Sequence, residues 1–459
     1  MAKKKQIELT IEEKLRNALV PKEEQPYKIP SNWCWSYWKY CGKFIAGNGF
    51  KNIYQGFTQY DIPYYKVGSL KFCDEGNYLI DETNTINEEI RTKLKAVKIP
   101  VNSIIFAKIG EAIKLNRRCL NKIECCIDNN LMAFISEKYF YKYIFYWTKS
   151  LNFYELTNAT TVPALRKTDL ENIPIPLPPL NEQQRIVNRI ESLFAKLDRA
   201  KELIENTLAQ FEQNKMAILH KAFIGELTAK WRKENNIDLS SWQDYQLKDI
   251  CEKITDGTHN SPINTDLGDY MYITAKNIKE EGIDLSKITY VSSDIHEKIY
   301  ARCNVEFGDV LYIKDGATTG IATINTIKEQ FSLLSSVAVL KPKKNKLLAK
   351  YLVYKLNSNE VRNMMINNMS GVAITRLTLT KIKQAKMKFP TIEEQQEIVN
   401  ILDKLLAKYN KIKNLEQQLE KIELMKKAIL AKAFRGELGT NNPDEESAEN
   451  LLKEILAEK

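Results

Sequence analysis

The chain contains two copies of one unit, and this duplication constrains its fold more than any other feature. The segment NEQQRIVN at 181–188 recurs as EEQQEIVN at 393–400, with six of eight positions identical. The segment MAILHKAFIGEL at 216–227 recurs as KAILAKAFRGEL at 427–438, with nine of twelve positions identical. The separations are 212 and 211 residues. Self-similarity at one fixed separation indicates a structural repeat, here of about 210 residues.

The N-terminal part of each copy has diverged much further than the C-terminal part. Weaker similarities keep the same spacing: 63–71 with 271–279, 103–110 with 309–316, and either Trp33 or Trp35 with Trp242. This contrast indicates that the C-terminal parts do the same job twice. The N-terminal parts then do related but different jobs.

Each similar part predicts one long helix with an apolar seam. Apolar residues recur every seven positions, as Ile190, Leu197, Ile204 and Phe211 in the first copy and Ile398, Leu405, Ile412 and Leu419 in the second. A seven-residue apolar period is typical of a coiled coil. Gly225 and Gly436 follow the two runs as helix stops. Because a whole globular unit joins the helices, we expect an antiparallel pair; the alternative is a generic dimerisation coiled coil.

The diverged parts mix short strands with helices, which predicts two α+β domains. The sequence therefore divides into six parts: an N-terminal segment with a short docking helix at 1–30, a globular domain at 31–177, a helical spacer at 178–230, a globular domain at 238–389, a second spacer at 390–438, and an acidic tail with a short amphipathic helix at 439–459. The two terminal helices are candidates for docking to a partner. Local packing within the chain is the alternative.

Composition and charge narrow the class of protein. Hydrophobic residues make up 44% and charged residues 27%, which indicates a folded chain. The formal net charge is +10, which suits a polyanionic partner such as nucleic acid. The eight cysteines form no C-x-x-C pair, and we find neither a secretory signal nor an apolar run long enough to span a membrane. We expect a cytoplasmic protein with reduced thiols and no membrane partner.

No constellation for catalysis is evident. The chain has no G-x-x-x-x-G-K-[ST] loop and no glycine-rich cofactor fingerprint, and its three histidines stand outside any H-E-x-x-H motif. A zinc site is not predicted, since neither C-x-x-C nor clustered His occurs. We therefore expect no catalytic residues, no cofactor and no metal. Scattered Asp and Glu leave an unrecognised nuclease site open as an alternative.

The repeated motifs resemble the specificity subunits of type I restriction–modification enzymes. The resemblance is carried by PPLNEQQ at 178–184, KAFIGEL at 221–227, KAFRGEL at 432–438, the lead-in LVP at 19–21 with IPSNW at 29–33, and ITDGTH at 254–259. It extends over essentially the whole chain and is most specific in the helices. One departure is MKFPT at 387–391, which matches IPLPP at 175–179 only in part. The chain is therefore expected to enter the second helix at a different angle.

The resemblance implies a non-catalytic subunit with two target recognition domains, at 31–177 and 238–389. Each would read one half of a bipartite site in double-stranded DNA, and the paired helices would act as a spacer. Two modification subunits would dock on this scaffold and carry the methyltransferase site, with restriction subunits as further partners. The competing hypotheses are a DNA-acting enzyme with an unrecognised site and a coiled-coil adaptor without a DNA role.

Candidate DNA contacts follow from the side chains that meet bases and phosphates. They are Lys66, Lys71, Lys108, Arg117 and Arg118 in the first domain, and Thr258, His259, Asn260, Lys276, Asn277, Lys314, Thr318 and Thr319 in the second. Lys108 and Lys314 form the strongest pair, because both copies place a lysine directly after a predicted strand. Gly257 would let the backbone approach a phosphate. For each position, an ordinary surface or turn residue is the alternative.

Overall fold

A computed structural model describes residues 9–137, 139–157, 162–367, 369, 376–410 and 413–458. The chain divides into two compact units. Unit 1 comprises Met1–Glu202 and Gln418–Lys459, and unit 2 comprises Leu203–Gln417. Each unit therefore contains one globular domain together with parts of both repeated helical segments. The division falls inside helices, so the six predicted sequence boundaries stay predictions.

The first copy begins with a short helix, continues as a mixed domain and ends in one long helix. Its helices are α1 (Ile11–Ala18), α2 (Glu88–Leu94), α3 (Tyr141–Ser150), α4 (Lys167–Glu171) and α5 (Leu180–Phe223). Its strands are β1 (Cys34–Tyr37), β2 (Gly42–Ala46), β3 (Ile62–Tyr65), β4 (Thr85–Ile86), β5 (Ile104–Ala107), β6 (Arg118–Leu120), β7 (Cys126–Ile127), β8 (Leu131–Ser136) and β9 (Pro174–Leu177).

The second copy follows the same order and ends in a short terminal helix. Its helices are α6 (Ala229–Glu234), α7 (Leu247–Ile250), α8 (Ser293–Arg302), α9 (Ala349–Leu356), α10 (Asn359–Asn367), α11 (Leu379–Gln384), α12 (Ile392–Asn410), α13 (Lys413–Phe434) and α14 (Ala448–Ala457). Its strands are β10 (Gln243–Gln246), β11 (Cys251–Asp256), β12 (Tyr270–Ile273), β13 (Ile278–Lys279), β14 (Gly282–Ile283), β15 (Thr289–Val291), β16 (Val310–Ile313), β17 (Ala322–Ile324), β18 (Ser332–Leu333), β19 (Val337–Pro342) and β20 (Lys386–Phe389).

The two globular domains share one sheet topology. Unit 1 has a four-stranded antiparallel sheet in the order β2-β8-β5-β6, a three-stranded sheet β4-β3-β7 and the pair β1-β9. Unit 2 has the corresponding sheets β11-β19-β16-β17, β15-β12-β18 and β10-β20. In both three-stranded sheets, one pairing is antiparallel and the other is parallel. The prediction of a duplicated α+β fold is confirmed.

Each repeated helical segment starts inside the core of its own globular domain. In unit 1, Ile186 and Ile190 of α5 are fully buried in the core that contains Trp38, whose ring centroid lies 4.7 Å from that of Phe44. In unit 2, Ile398 of α12 is fully buried in the core that contains Tyr312 and Tyr351. Because aromatic side chains bury large apolar areas, these cores hold the domains firmly on their helices.

Within each unit, the repeated helices pack antiparallel. In unit 1, Lys426 donates to Asp198 and Lys201 Nζ lies 3.3 Å from Glu423 Oε1, so numbers rise along α5 as they fall along α13. In unit 2, α5 residues from Leu219 onward share a core with α12 residues up to Leu402. The predicted antiparallel pairing is therefore confirmed within each unit.

The predicted seam is deepest at the start of each helical segment. Ile190 and Ile398 are buried, whereas Leu197, Ile204, Phe211, Leu405 and Leu419 are half-buried, and Ile412 lies outside the described residues. The second segment is described as two helices, α12 and α13, on either side of 411–412.

The two terminal helices pack on each other in unit 1. Leu452, Ile455 and Leu456 of α14 are buried in the same core as Ala18 of α1. Lys14 Nζ donates to the Leu456 carbonyl at 3.4 Å. The apolar face of α14 is thus covered within the chain, which corresponds to the local-packing alternative for these helices.

Candidate nucleic-acid interface

The repeated Glu-Gln motif fixes the first globular domain to α5. The indole Nε1 of Trp33 donates to Glu182 Oε2 at 2.8 Å. The backbone amide of Phe140, at the start of α3, donates to Gln183 Oε1 at 3.2 Å. Both acceptor side chains are fully buried, so these bonds orient the domain on its helix.

The second copy repeats this arrangement. Trp242 Nε1 donates to Glu394 Oε2 at 3.0 Å, and the backbone amide of Leu348 donates to Gln395 Oε1 at 2.9 Å. The equivalent of Trp242 is therefore Trp33, which settles one of the two alternatives left by the sequence. The strong similarity of the motif follows from this repeated function.

Residues just after the end of each repeated helical segment form hydrogen bonds with the start of the other segment. In unit 1, Thr440 Oγ1 donates to Glu182 Oε1 at 3.4 Å. In unit 2, Thr228 Oγ1 and Arg232 donate to Glu394 Oε1 at 2.6 Å and 2.5 Å. The similar KAFxGEL segments precede these threonines, which explains their similarity. Arg232 donates directly to Glu394, whereas the hydrogen-bond donors described on Glu182 are the neutral side chains of Trp33, Asn441 and Thr440.

In unit 1, the loops that carry the predicted DNA contacts meet at one end of the sheets. Ala46 pairs with Met132 and Ala107 pairs with Leu131, so the loops beyond β2 and β5 lie beside the start of β8. Lys66 follows β3 at the same end, because Tyr65 is the partner of Ile127 at the end of β7. The surface formed by residues 47–55, 66–71, 108–117 and 128–130 is termed loop end 1.

Unit 2 has the equivalent surface. Asp256 at the end of β11 pairs with Ala338, and Ile313 at the end of β16 pairs with Val337. The surface formed by residues 257–261, 274–277, 314–320 and 334–336 is termed loop end 2. The predicted contacts of each domain therefore converge, although they are spread along the sequence.

Most of the predicted cations of unit 1 are accessible at loop end 1. Lys71 and Arg117 are exposed, and Lys66 and Lys108 are half-buried. Lys66 Nζ donates to Gln55 Oε1 at 2.7 Å, so this lysine supports a neighbouring loop.

Arg118, a predicted DNA contact, is buried inside unit 1 and bonded to its backbone. Its side chain is 3% exposed, lies 3.8 Å over the ring of Phe153 and donates to the Leu151 carbonyl at 2.8 Å. Burial lowers the pKa of Arg118 to about 9. Arg117 lies just before β6 and is exposed, whereas Arg118 is the first residue of β6, whose three residues are all buried.

Loop end 2 is organised around Asp256, which the sequence analysis did not select. The Asp256 carboxylate is 1% exposed and lies 2.5 Å from Arg302 and 3.5 Å from Lys314. His259 Nε2 lies 2.9 Å from Arg302, and Lys314 also contacts Asp315 at 3.0 Å. Lys314, also a predicted DNA contact, is thus a buried cation whose charge is balanced by Asp256 and Asp315.

The backbone of Gly257 packs closely against the protein itself. This packing explains why the position is glycine, and it differs from the predicted approach of a phosphate. A Cβ at Gly257 would lie 1.9 Å from the Leu333 carbonyl oxygen. A Cβ at the equivalent Gly47 would lie 2.0 Å from the Asp128 carbonyl oxygen. In both domains the glycine that follows β2 or β11 lets the backbone approach closely. The next residue, Asn48 or Thr258, then forms a parallel β-bridge with the neighbouring segment.

Several polar candidates of loop end 2 shape turns. Asn277 is 7% exposed, and its side chain bonds the Thr274 amide and the Asp284 carbonyl, both at 3.0 Å. Thr319 is 5% exposed and bonds the Gly316 carbonyl at 2.7 Å. The accessible candidates are His259, Asn260, Lys276 and Thr318, with Thr258 half-buried.

Among the described residues, no group of three or more His, Cys, Asp or Glu side chains is arranged to hold a metal ion. Across the same ranges, no helix combines the length and apolar character needed to span a bilayer.

Two α+β domains of one topology, each seated on the start of a repeated helical segment, define a class of duplicated two-domain proteins. The family model described as "Type I restriction modification DNA specificity domain" matches residues 52–210 and 240–424. The chain belongs to this family.

Curated relatives are named as specificity subunits of type I restriction enzymes. The type I restriction enzyme EcoBI specificity subunit of Escherichia coli is 29% identical over 330 residues, which cover 66% of this chain and 68% of the relative. The EcoKI specificity subunit of Escherichia coli strain K12 is 26% identical over 318 residues, with the same coverages of 66% and 68%.

Two solved structures share the fold. One, from work on complex assembly and conformational transition of the type I R-M system, gives a TM-score of 0.65 at 19% identity and covers 90% of this chain and 100% of that chain. The HsdS subunit from Thermoanaerobacter tengcongensis gives 0.51 at 18% identity and covers 90% and 99%.

Proposed function

We propose that this chain is the non-catalytic DNA-recognition subunit of a type I restriction–modification complex, in which each globular domain reads one half of a bipartite site in double-stranded DNA. The observation that carries the proposal is the pair of loop ends. They share one scaffold but present different polar side chains, in a chain of the DNA specificity family. Sequence readout requires such side chains held rigidly at base edges.

The proposed contacts are the accessible candidates. Lys71 and Arg117 at loop end 1 and Lys276 at loop end 2 are suited to phosphates, since exposed cations release counterions on binding DNA. His259 and Asn260 are suited to base edges or sugar–phosphate oxygens. Lys66, Lys108, Thr258 and Thr318 remain further candidates, whereas Arg118, Asn277, Lys314 and Thr319 support the loops.

The partners follow from the family. We propose that two modification subunits dock on this chain and carry the methyltransferase site, that restriction subunits join them, and that the complex acts in the cytoplasm. The curated relatives are named as specificity subunits of type I restriction enzymes, which supports a role within a multisubunit enzyme.

The test is reconstitution of methylation. The purified chain is expected to transfer no methyl group to DNA, and its mixture with the cognate modification subunit is expected to methylate one bipartite motif. Binding of that complex should weaken steeply as salt rises, because phosphate contacts release counterions. Methylation or cleavage by the chain alone would favour the enzyme hypothesis, and binding that ignores both salt and sequence would favour the adaptor.

A further inference from the structure

Two cysteines of unit 1 lie close enough to form a disulfide. The Sγ atoms of Cys73 and Cys119 are 2.7 Å apart, although the two residues are 46 positions apart in the sequence. A disulfide bond is about 2.05 Å long, so the two sulfur atoms need to approach each other by only about 0.7 Å. Small rotations of the two side chains are enough for such an approach.

Backbone hydrogen bonds hold the two cysteines beside each other. Cys73 forms an antiparallel β-bridge with Leu79. The Leu79 amide donates to the Leu120 carbonyl at 2.8 Å, which places this short hairpin along β6, the strand that contains Cys119. Cys119 Sγ also donates to the Leu70 carbonyl at 3.5 Å. Because these bonds fix both segments, a disulfide can form with little backbone movement.

The cysteine pair lies next to two proposed DNA contacts. Lys71 precedes Cys73 by two residues, and Arg117 precedes Cys119 by two residues. Both cations are exposed and belong to loop end 1. A bond between the two cysteines therefore joins the two segments that carry these cations.

The two thiols differ in their access to solvent. Cys73 is half-buried, whereas Cys119 is 2% exposed. The hydrogen bond between them lowers the pKa of Cys73, which favours the thiolate that reacts with oxidants. Cys73 is thus suited to meet a small oxidant first, and the buried Cys119 is suited to resolve the oxidised product.

Unit 2 has no equivalent of this pair. Thr323 of β17 occupies the position of Cys119, because Thr323 pairs with Leu311 of β16 as Cys119 pairs with Ile105 of β5. Threonine cannot form a disulfide. The bond is therefore confined to the globular domain of unit 1.

We propose that Cys73 and Cys119 are a redox modification site, at which a peroxide converts the two thiols into a reversible disulfide that locks loop end 1. In the first step, the Cys73 thiolate attacks hydrogen peroxide, the O–O bond breaks, and a sulfenic acid forms with loss of hydroxide. The hydroxide takes up the proton that Cys73 lost.

The second step forms the disulfide. The Cys119 sulfur attacks the sulfenic sulfur of Cys73, so that the S–S bond forms and the S–O bond breaks. The proton of Cys119 goes to the departing hydroxyl group. Two thiols and one hydrogen peroxide thus yield one disulfide and two water molecules, and a thiol reductant reverses the change by disulfide exchange.

The lock has a consequence for DNA binding, and this consequence rests on the proposed function. A restrained loop end loses less conformational entropy when it binds, so the oxidised chain binds its target more tightly than the reduced chain. Since the bond lies in unit 1, the gain comes from the contacts of loop end 1.

The experiment uses the full-length chain assembled with its modification subunit, treated with hydrogen peroxide or with dithiothreitol. Peptide mapping of the oxidised sample is expected to find Cys73 linked to Cys119 with the loss of two hydrogen atoms. The variants are Cys73→Ser and Cys119→Ala. The matched control is Cys251→Ala, at a buried cysteine of unit 2. Amide hydrogen exchange in residues 66–73 should slow about tenfold on oxidation of the wild type and the control, and in neither variant.

Binding is measured on a duplex that carries the motif found by methylation sequencing. Oxidation should lower the dissociation constant about threefold for the wild type and the control, and leave both variants unchanged. Absence of the link, or a link that does not both slow exchange and tighten binding to a preferred motif, would overturn the inference and leave the proposed function standing. A linked chain with slowed exchange whose complex does not prefer the motif over a scrambled duplex in either redox state would instead end the proposed function and keep the modification site.

Discussion

Asp256 is the residue on which the polar network of loop end 2 depends. Its carboxylate is buried, and its charge is balanced by the buried Lys314 and the half-exposed Arg302. A charge out of water is tolerated only when it is paired and hydrogen-bonded. Lys314 therefore contributes to the stability of unit 2, and an exposed lysine such as Lys276 does not.

Replacing Lys314 separates these roles. Lys314→Met removes one buried partner of Asp256, and we expect the free energy of unfolding to fall by about 3 kcal/mol. The exposed control Lys276→Met should change it by less than about 0.5 kcal/mol. Denaturant unfolding of both variants measures the difference. Equal losses in the two variants would show that Lys314 contributes no more to the free energy of unfolding than an exposed lysine.

Cys73 should be the most reactive thiol of the chain. The Sγ atoms of Cys73 and Cys119 lie 2.7 Å apart, their hydrogen bond lowers the pKa of Cys73, and the nearby Lys149 and Arg117 add to this effect. Burial instead raises the pKa of Cys251 to about 12. Because the thiolate is the nucleophile, alkylation at Cys73 should level off at a lower pH than for an ordinary cysteine.

The measurement is peptide mapping by mass spectrometry after brief alkylation over a range of pH. Cys73 is expected to be modified first, and Cys119→Ala should slow its modification near neutral pH. Faster labelling of any other cysteine, or no effect of Cys119→Ala, would contradict this explanation of its reactivity.

At the scale of elements, the contact between each globular domain and its helix is built around one buried glutamate. Glu182 and Glu394 occupy equivalent positions but differ in their partners. Glu182 Oε2 accepts from Trp33 and from Asn441, at 2.8 Å and 2.9 Å, so one oxygen meets both short donors. Glu394 accepts through both oxygens, from Trp242 on one and from Arg232 on the other.

This difference predicts that the same substitution costs far more stability at Glu394 than at Glu182. Glu182→Gln keeps an oxygen for Trp33 and Asn441, and its amide group can donate to Thr440, so stability should change by less than about 1 kcal/mol. Glu394→Gln places an amide N–H against a donor and leaves the buried Arg232 without its counter-charge, which should cost about 3 kcal/mol or more. Thermal unfolding of the two variants measures this contrast, and similar losses would contradict it.

The pH dependence supplies a second readout for Glu182. Burial raises the pKa of the Glu182 carboxyl above its ordinary value. The folded state therefore favours the protonated form, and the stability that this form contributes is lost as pH rises through the folded pKa. Relative to wild type, Glu182→Gln should gain stability from about pH 4 to pH 7.

The elements that the sequence predicted best are those defined by local periodicity. The seven-residue period placed the helical segments, and their repeated motifs predicted that the two segments do the same job. Burial of single side chains was not predictable in this way. Arg302 meets Asp256 across 46 residues of sequence, and no local pattern distinguishes the buried Lys314 from an accessible lysine.

At the scale of the whole molecule, duplication separates what is shared from what is specific. Two kinds of contact occur in both copies with equivalent bonds. One fixes the globular domain to its helix, and the other joins the end of one helical segment to the start of the other. The loop ends share topology but differ in side chains, from Lys66 and Arg117 in one to the Asp256 network in the other. A chain built this way can change one target half without altering its assembly.

A domain exchange tests this account most directly. Residues 31–177 are replaced by the corresponding domain of a family member with a different target, and the methylated motif of cells carrying the chimera and its modification subunit is sequenced. We predict a bipartite motif in which one half is new and the other half is that of the original chain. A motif that changes in both halves, or in neither, would contradict the claim that each domain reads its own half-site.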